Sequence, residues 1–231
     1  MHQSGLPVPE GLILTTASWK HYRKTGDILT SVQVAIVDML SEYPDSMFSV
    51  RSGAPVSMPG MMDTVLNVGV TTDLDDMYPG AMARYVTSWL SIVHRIPKSR
   101  ISELITLVNA RSQGNSVLFR KFLTRVVQAS EIVAIPYTRY DQVIACVRAV
   151  FDSWDTPRAV AYRSMHGISD DMGTACVIQR MVMGTAPGFS GSGVMFTRDP
   201  ATGHDVVRGE FAEQAQGEEV VSGEITPKPI L

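Results

Sequence analysis

The sequence has only two cysteines, Cys146 and Cys176, in 231 residues. Two thiols make neither a disulfide framework nor a zinc site, and a reducing cytoplasm is the compartment to expect. A basic excess is also lacking: 20 Lys plus Arg stand against 23 Asp plus Glu, a net charge of −3. That balance argues against a dedicated nucleic-acid binder, while leaving room for a local phosphate site built from a few donors. No run approaches the ~20 apolar residues of a membrane helix, so no membrane partner is expected. The first five residues show no basic region followed by an apolar core, so no secretory leader is expected either. The five histidines are scattered, and none stands at a metal-ligand spacing from a Cys or Glu. No Ser–His–Asp set can be argued, and there is no internal repeat or low-complexity tract.

What is present suits an ordinary globular chain of one large domain or two small ones: 45% of residues are apolar and 19% charged. Thirteen methionines are many, and they read as fillers of irregular core gaps. Leu12–Leu14 fits a short strand, and a helix follows from Thr16, its possible N-cap, to about Arg23. Val32, Ala35, Ile36, Met39 and Leu40 recur at helical spacing and predict a helix ending near Tyr43–Pro44. Four more apolar stripes follow: Tyr85/Val86/Trp89/Leu90/Val93, Ile101/Leu104/Ile105/Val108, Leu118/Phe122/Leu123/Val126 and Val143/Ile144/Val147/Val150/Phe151. A helix from Pro157 to His166 closes on Gly167. The period then changes, and strands are predicted over 174–182, 192–197, 206–215 and 218–221. Helices in the middle with antiparallel strands at the end predict an α+β fold. Three parts follow from this reading: residues 1–70, a helical part 71–170 and a β-rich part 171–231.

Three places carry candidate chemistry. Arg51 ends a short strand, Met47–Arg51, and a loop rich in Gly, Pro, Ser and Met follows it. An Arg there can grip a phosphate through two parallel hydrogen bonds, or it is a surface Arg before a turn. Four glycines, Gly184, Gly188, Gly191 and Gly193, fall within ten residues beside a strand. Their backbone N–H groups can approach a polyphosphate, or they form a glycine-rich hairpin; no Walker pattern follows. Glu210, Gln214, Gln216, Glu218 and Glu219 form the third set. Strand alternation would put Glu210, Gln214 and Gln216 on one face. Carboxylates there can hold Mg²⁺ or accept ribose hydroxyls, or line a solvated edge.

Longer matches go beyond spacing. Val50–Asn67, Ala149–Arg163, Ser190–Gly203, and Gly209–Phe211 with Ala215–Gly223 closely resemble, in order, segments of the pyruvate, phosphate dikinase family. Gly5–Gly11 is similar too, while 71–138 matches weakly and looks shorter. The resemblance implies an ATP-grasp nucleotide-binding domain with ATP and Mg²⁺ as cofactors. In that family a histidine on a separate swivelling domain carries the phosphoryl group on the way from pyruvate and phosphate to phosphoenolpyruvate. By matched position, Arg51 is the catalytic candidate and should contact the ATP phosphates. Gly60 sits in the loop near them. Gln179, Met181 and Val182 flank the adenine, and Ser192 and Gly193 belong to the phosphate-covering loop. Glu210, Glu218 and Glu219 line the nucleotide cleft, Glu219 standing where Asp is usual. Glu224 stands near a usual Arg.

The same resemblance sets expectations about what the chain does not hold. A lysine-bearing glycine segment is expected ahead of Gly5. A later acidic pair and a Gln-Thr-Arg strand are expected beyond residue 231. The phosphohistidine and pyruvate-binding domains are expected elsewhere as partners. The chain alone is therefore expected to be inactive in forming phosphoenolpyruvate. A non-catalytic module of a split dikinase and a phosphoenolpyruvate synthase-like domain are the alternatives.

Overall fold

The computed structural model describes residues 4–115, 117–119, 121–123, 136 and 138–230. Two units share the chain, 1–181 and 182–231. The sequence pattern draws its last division nearby, at 170/171.

The first unit is built on a four-stranded antiparallel sheet. Its strands are β1 (Gly11–Leu14), β2 (Phe48–Gly53), β3 (Thr64–Val68) and β4 (Ala175–Arg180), in the order β1-β4-β2-β3. The strand pattern is period two. Leu14, Phe48, Val50, Cys176 and Ile178 are buried on one face. Helices cover that face: α1 (Thr16–Thr25), α2 (Thr30–Glu42), α4 (Ala81–Ile92) and α6 (Arg139–Asp152), with α3 (Thr72–Met77) and α5 (Lys98–Ser112) packed through α4. The α6 stripe works as its spacing predicts, with Val143, Val147, Val150 and Phe151 buried. Each such side chain contributes about 2 kcal/mol on leaving water.

On the opposite face of this sheet, several of the described residues are left exposed. The register puts Ile13, Val177, Arg51 and Thr64 in one row across it and Gln179 beside Ser49 in the next. Ile13 is 66% exposed and Arg51 is exposed. Thus the same alternation that buries Val50 turns Arg51 outward.

Helix α7 (Pro157–His166) starts on its proline and ends on Gly167 at φ 63°, a left-handed cap. Helix α1 departs from expectation: Thr15, not Thr16, is its N-cap. The third predicted stripe is displaced as well. Leu118 is 39% exposed while Phe119 and Leu123, four apart, are buried. Val126 lies outside the described residues.

The second unit holds a three-stranded antiparallel sheet, β5 (Gly191–Phe196), β6 (Arg208–Glu213) and β7 (Lys228–Ile230), in that order. Its buried cluster is small: Ala212, Ala215 and Val220, with Ile225 against them. The predicted strand over 218–221 is instead a helix, α8 (Gly217–Val221). Gln216 and Glu219 form a capping box at its start, which satisfies two backbone N–H groups that a strand ladder would otherwise need to pair. Glu210, Gln214 and Gln216 accordingly do not share a strand face: Gln214 turns out of β6 at φ 50° and Gln216 caps the helix.

Candidate functional site

Arg51 sits on β2, between β3 and β4, on the face of the first sheet opposite its buried one. Its guanidinium donates to Gln179 Oε1 at 2.7 Å. The Gln179 amide in turn donates to the Pro9 carbonyl at 2.9 Å. The entry segment therefore fixes which way the amide points, and the amide orients the guanidinium. Both residues are candidates on sequence grounds, and the diagonal neighbourhood across β2 and β4 brings them together. Met181 follows at the end of this unit. Its N–H bonds the Met47 carbonyl at 2.8 Å and its sulfur lies 3.1 Å from the Asn67 N–H.

Gly60 lies in the loop 54–62 at φ 71°, with nothing near its open side. The loop's base is fixed by a residue that sequence reasoning passed over. Asp63 is 5% exposed and accepts from Arg95 at 2.7 Å and from Arg158. Arg158 also donates through Nε to the Met61 carbonyl at 3.1 Å. Arg158 stands inside a matched segment, which is the one signal that could have pointed to it. Arg95 carries none.

In the second unit, the segment 184–190 is held by its own polar side chains. The Ser190 hydroxyl, with one hydrogen to donate, lies within hydrogen-bond reach of the carbonyls of Gly184 and Ala186, at 2.9 and 2.7 Å. Gln214 donates to the Gly188 carbonyl. Gln216 spans from the Gly184 N–H (2.9 Å) to the Val182 carbonyl (3.1 Å). Phe189 is fully exposed at the turn. Gly193 is needed for strand approach: a Cβ there would lie 2.4 Å from the Glu210 carbonyl. A Cβ on Gly184 would meet Ser192 Oγ at 2.4 Å and the Ala215 carbonyl at 2.1 Å.

The three acidic candidates occupy different settings. Glu210 is exposed on β6, opposite Val194 and Pro229. Glu218 is exposed in the first turn of α8. Glu219 accepts from the Gln216 N–H at 2.7 Å in the capping box, so one of its oxygens already has a structural task. Among the described residues, no three His, Cys, Asp or Glu side chains converge to hold a metal ion. None of the described helices is long and apolar enough to cross a membrane.

Helices together with two antiparallel sheets make this an α+β fold, consistent with a nucleotide-binding domain of ATP-grasp type. The chain belongs to the family described as pyruvate phosphate dikinase, AMP/ATP-binding domain, whose model matches residues 27–231. It is 34% identical over 259 positions to the pyruvate, phosphate dikinase of Clostridium symbiosum, covering 98% of this chain and 30% of the relative. It is 36% identical over 265 positions to the chloroplastic enzyme of Mesembryanthemum crystallinum, covering 100% of this chain and 28% of the relative. Against the Rickettsia typhi dikinase the identity is 32%, over 98% of this chain and 29% of the relative. The chain spans about 30% of the length of these curated relatives. The aligned lengths exceed the 231 residues, so the relatives carry residues between matched segments that this chain lacks.

Proposed function

We propose that this chain binds ATP as the nucleotide-binding part of a dikinase-type phosphotransferase, which phosphorylates a histidine supplied by another domain. The match of an AMP/ATP-binding family over 27–231 carries this reading. The exposed, amide-oriented Arg51 supports it. Phosphoryl transfer is mostly positioning and charge neutralisation, and a guanidinium held in a fixed plane supplies both to a phosphate.

The nucleotide-binding candidates of this reading are those the family resemblance marks: Arg51, Gly60, Gln179, Met181, Val182, Ser192, Gly193, Glu210 and Glu218. Glu219 serves the α8 cap, with its carboxylate also a nucleotide candidate. Mg²⁺ fits the donor chemistry, because it is usually held by one or two carboxylates plus the substrate phosphates. Glu210 and Glu218 are the hard oxygen donors to test. The metal supplies charge neutralisation to the phosphates when bound. Phosphoenolpyruvate formation would require the partner domains, and a cytoplasmic setting suits the reading.

Calorimetric titration with Mg-ATP tests it. Saturable binding is expected, and Arg51→Ala should weaken it at least about tenfold, the loss of one charge-assisted contact. No heat at millimolar nucleotide would sink the proposal.

A further inference from the structure

The loop 54–62 carries an exposed glycine beside a pinned base. Gly60 takes a left-handed φ of 71°, and a Cβ there would meet nothing within 4 Å. At the base, Asp63 is almost wholly buried, and both its carboxylate oxygens are used: Oδ2 by Arg95 at 2.7 Å, Oδ1 by Arg158. The Asp63 N–H reaches Ser153 Oγ at 3.3 Å, and that hydroxyl donates to the Val150 carbonyl at 2.7 Å at the end of α6. Arg158, from the first turn of α7, closes the ring by donating Nε to the Met61 carbonyl at 3.1 Å. Inside the loop, the Met61 N–H bonds the Met58 carbonyl at 3.1 Å, and Met58 is buried.

Asp63 thus ties the loop to three places: its carboxylate reaches α7 and the segment after α4, and its N–H reaches Ser153 at the end of α6. Arg95 reaches it from a left-handed backbone, φ 55°, a conformation that a non-glycine residue holds only when its surroundings enforce it. Both arginines are about half exposed, while the carboxylate they share is buried. Arg158 is the joint: it carries the force from the carboxylate to the loop's own backbone.

We infer that Asp63 is a positioning residue for the 54–62 loop, acting through Arg158 on the Met61 carbonyl to fix the loop that carries Gly60. The inference deepens the ATP-binding reading above and rests on it for the consequence that the fixed loop is the one that meets the phosphates. It does not make Asp63 a ligand of the nucleotide. The carboxylate is buried and fully engaged, so its effect on binding is indirect.

The full chain, free of nucleotide, is compared with Asp63→Asn, Arg158→Lys and Arg95→Lys by hydrogen–deuterium exchange, with Mg-ATP titration of the same samples. Asp63→Asn and Arg158→Lys should raise exchange across 54–62 about tenfold, the scale of one lost charge-assisted hydrogen bond, while β4 is unchanged. Arg95→Lys keeps a cation on Asp63 and takes nothing from Met61, so its loop should exchange near the unsubstituted level. ATP affinity should fall with the loop exchange, in Arg158→Lys and not in Arg95→Lys. Unchanged exchange in Arg158→Lys overturns the inference, as does an equal rise in Arg95→Lys, which would make charge alone responsible. Should Asp63→Asn fail to fold, Arg158→Lys decides. If the unsubstituted chain binds no Mg-ATP, the ATP-binding reading fails and the exchange result still judges the pin. If it binds and Arg158→Lys loosens the loop without weakening ATP, the positioning role fails by itself.

Discussion

Tyr22 on α1 donates its hydroxyl to Asp152 at the end of α6, at 3.0 Å. Burial, and after it the Asp152 carboxylate, pushes the Tyr22 phenol from its ordinary 10.0 up to about 12. The native state therefore holds this proton more tightly than the unfolded chain does. The contribution to stability is complete below pH 10 and is lost as pH rises from about 10 through 12. Urea midpoints measured between pH 9 and 12 should fall, and Tyr22→Phe should flatten part of that fall. The remainder belongs to groups raised in the same direction, among them the buried thiols of Cys146 and Cys176. None of these links was legible in the sequence, since Tyr22 and Asp152 are 130 residues apart. The same holds for Asp63, whose arginines come from 32 and 95 residues away. Arg51 stands out as a candidate because its signal is local: a short strand that carries it and a Gly-, Pro- and Ser-rich loop after it.

At the scale of elements, the helices with long apolar stripes were readable and the short ones were not. In α6 the residues at i, i+4, i+7 and i+8 bury together, so period alone locates the helix. Helix α8 has five residues, too few for a period to declare itself, and its Val220–Val221 pair reads as strand. Its conformation is decided by the reciprocal bonds of Gln216 and Glu219. That assigns Glu219 a test that separates structure from binding. Glu219→Ala should lose the cap and about 1 kcal/mol, seen as a lower urea midpoint and faster exchange in 217–221. Glu219→Gln keeps a capping-box side chain and should keep the helix. If Mg-ATP affinity falls in Glu219→Gln, the carboxylate's charge serves the nucleotide as well as the helix.

For the whole molecule, the two units differ in how much they bury. The first packs a sheet under several helices, with Trp89, Trp154, Tyr85, Phe48 and Phe151 all at 1% exposure or less. Among its described residues the second has a buried apolar cluster of just Ala212, Ala215 and Val220, and leaves Phe189, Met195, Phe196 and Val221 exposed. Local opening is cheaper where fewer apolar contacts must break. Amides of β5–β7 should therefore exchange at least about tenfold faster than those of β4, and equal protection would contradict the argument. The sequence by itself determined the α+β class, the stripes of most of the long helices, and the family, through matched segments of more than ten residues. Each of those is written in neighbours along the chain, where side-chain spacing and backbone period act directly. The tertiary structure decided what depends on meetings between distant residues: the Arg51–Gln179–Pro9 relay, the clamp of Asp63 by Arg95 and Arg158, and the division after Met181. Those are hydrogen bonds and ion pairs whose partners only strand register and helix packing can bring within reach, and no local pattern encodes that register.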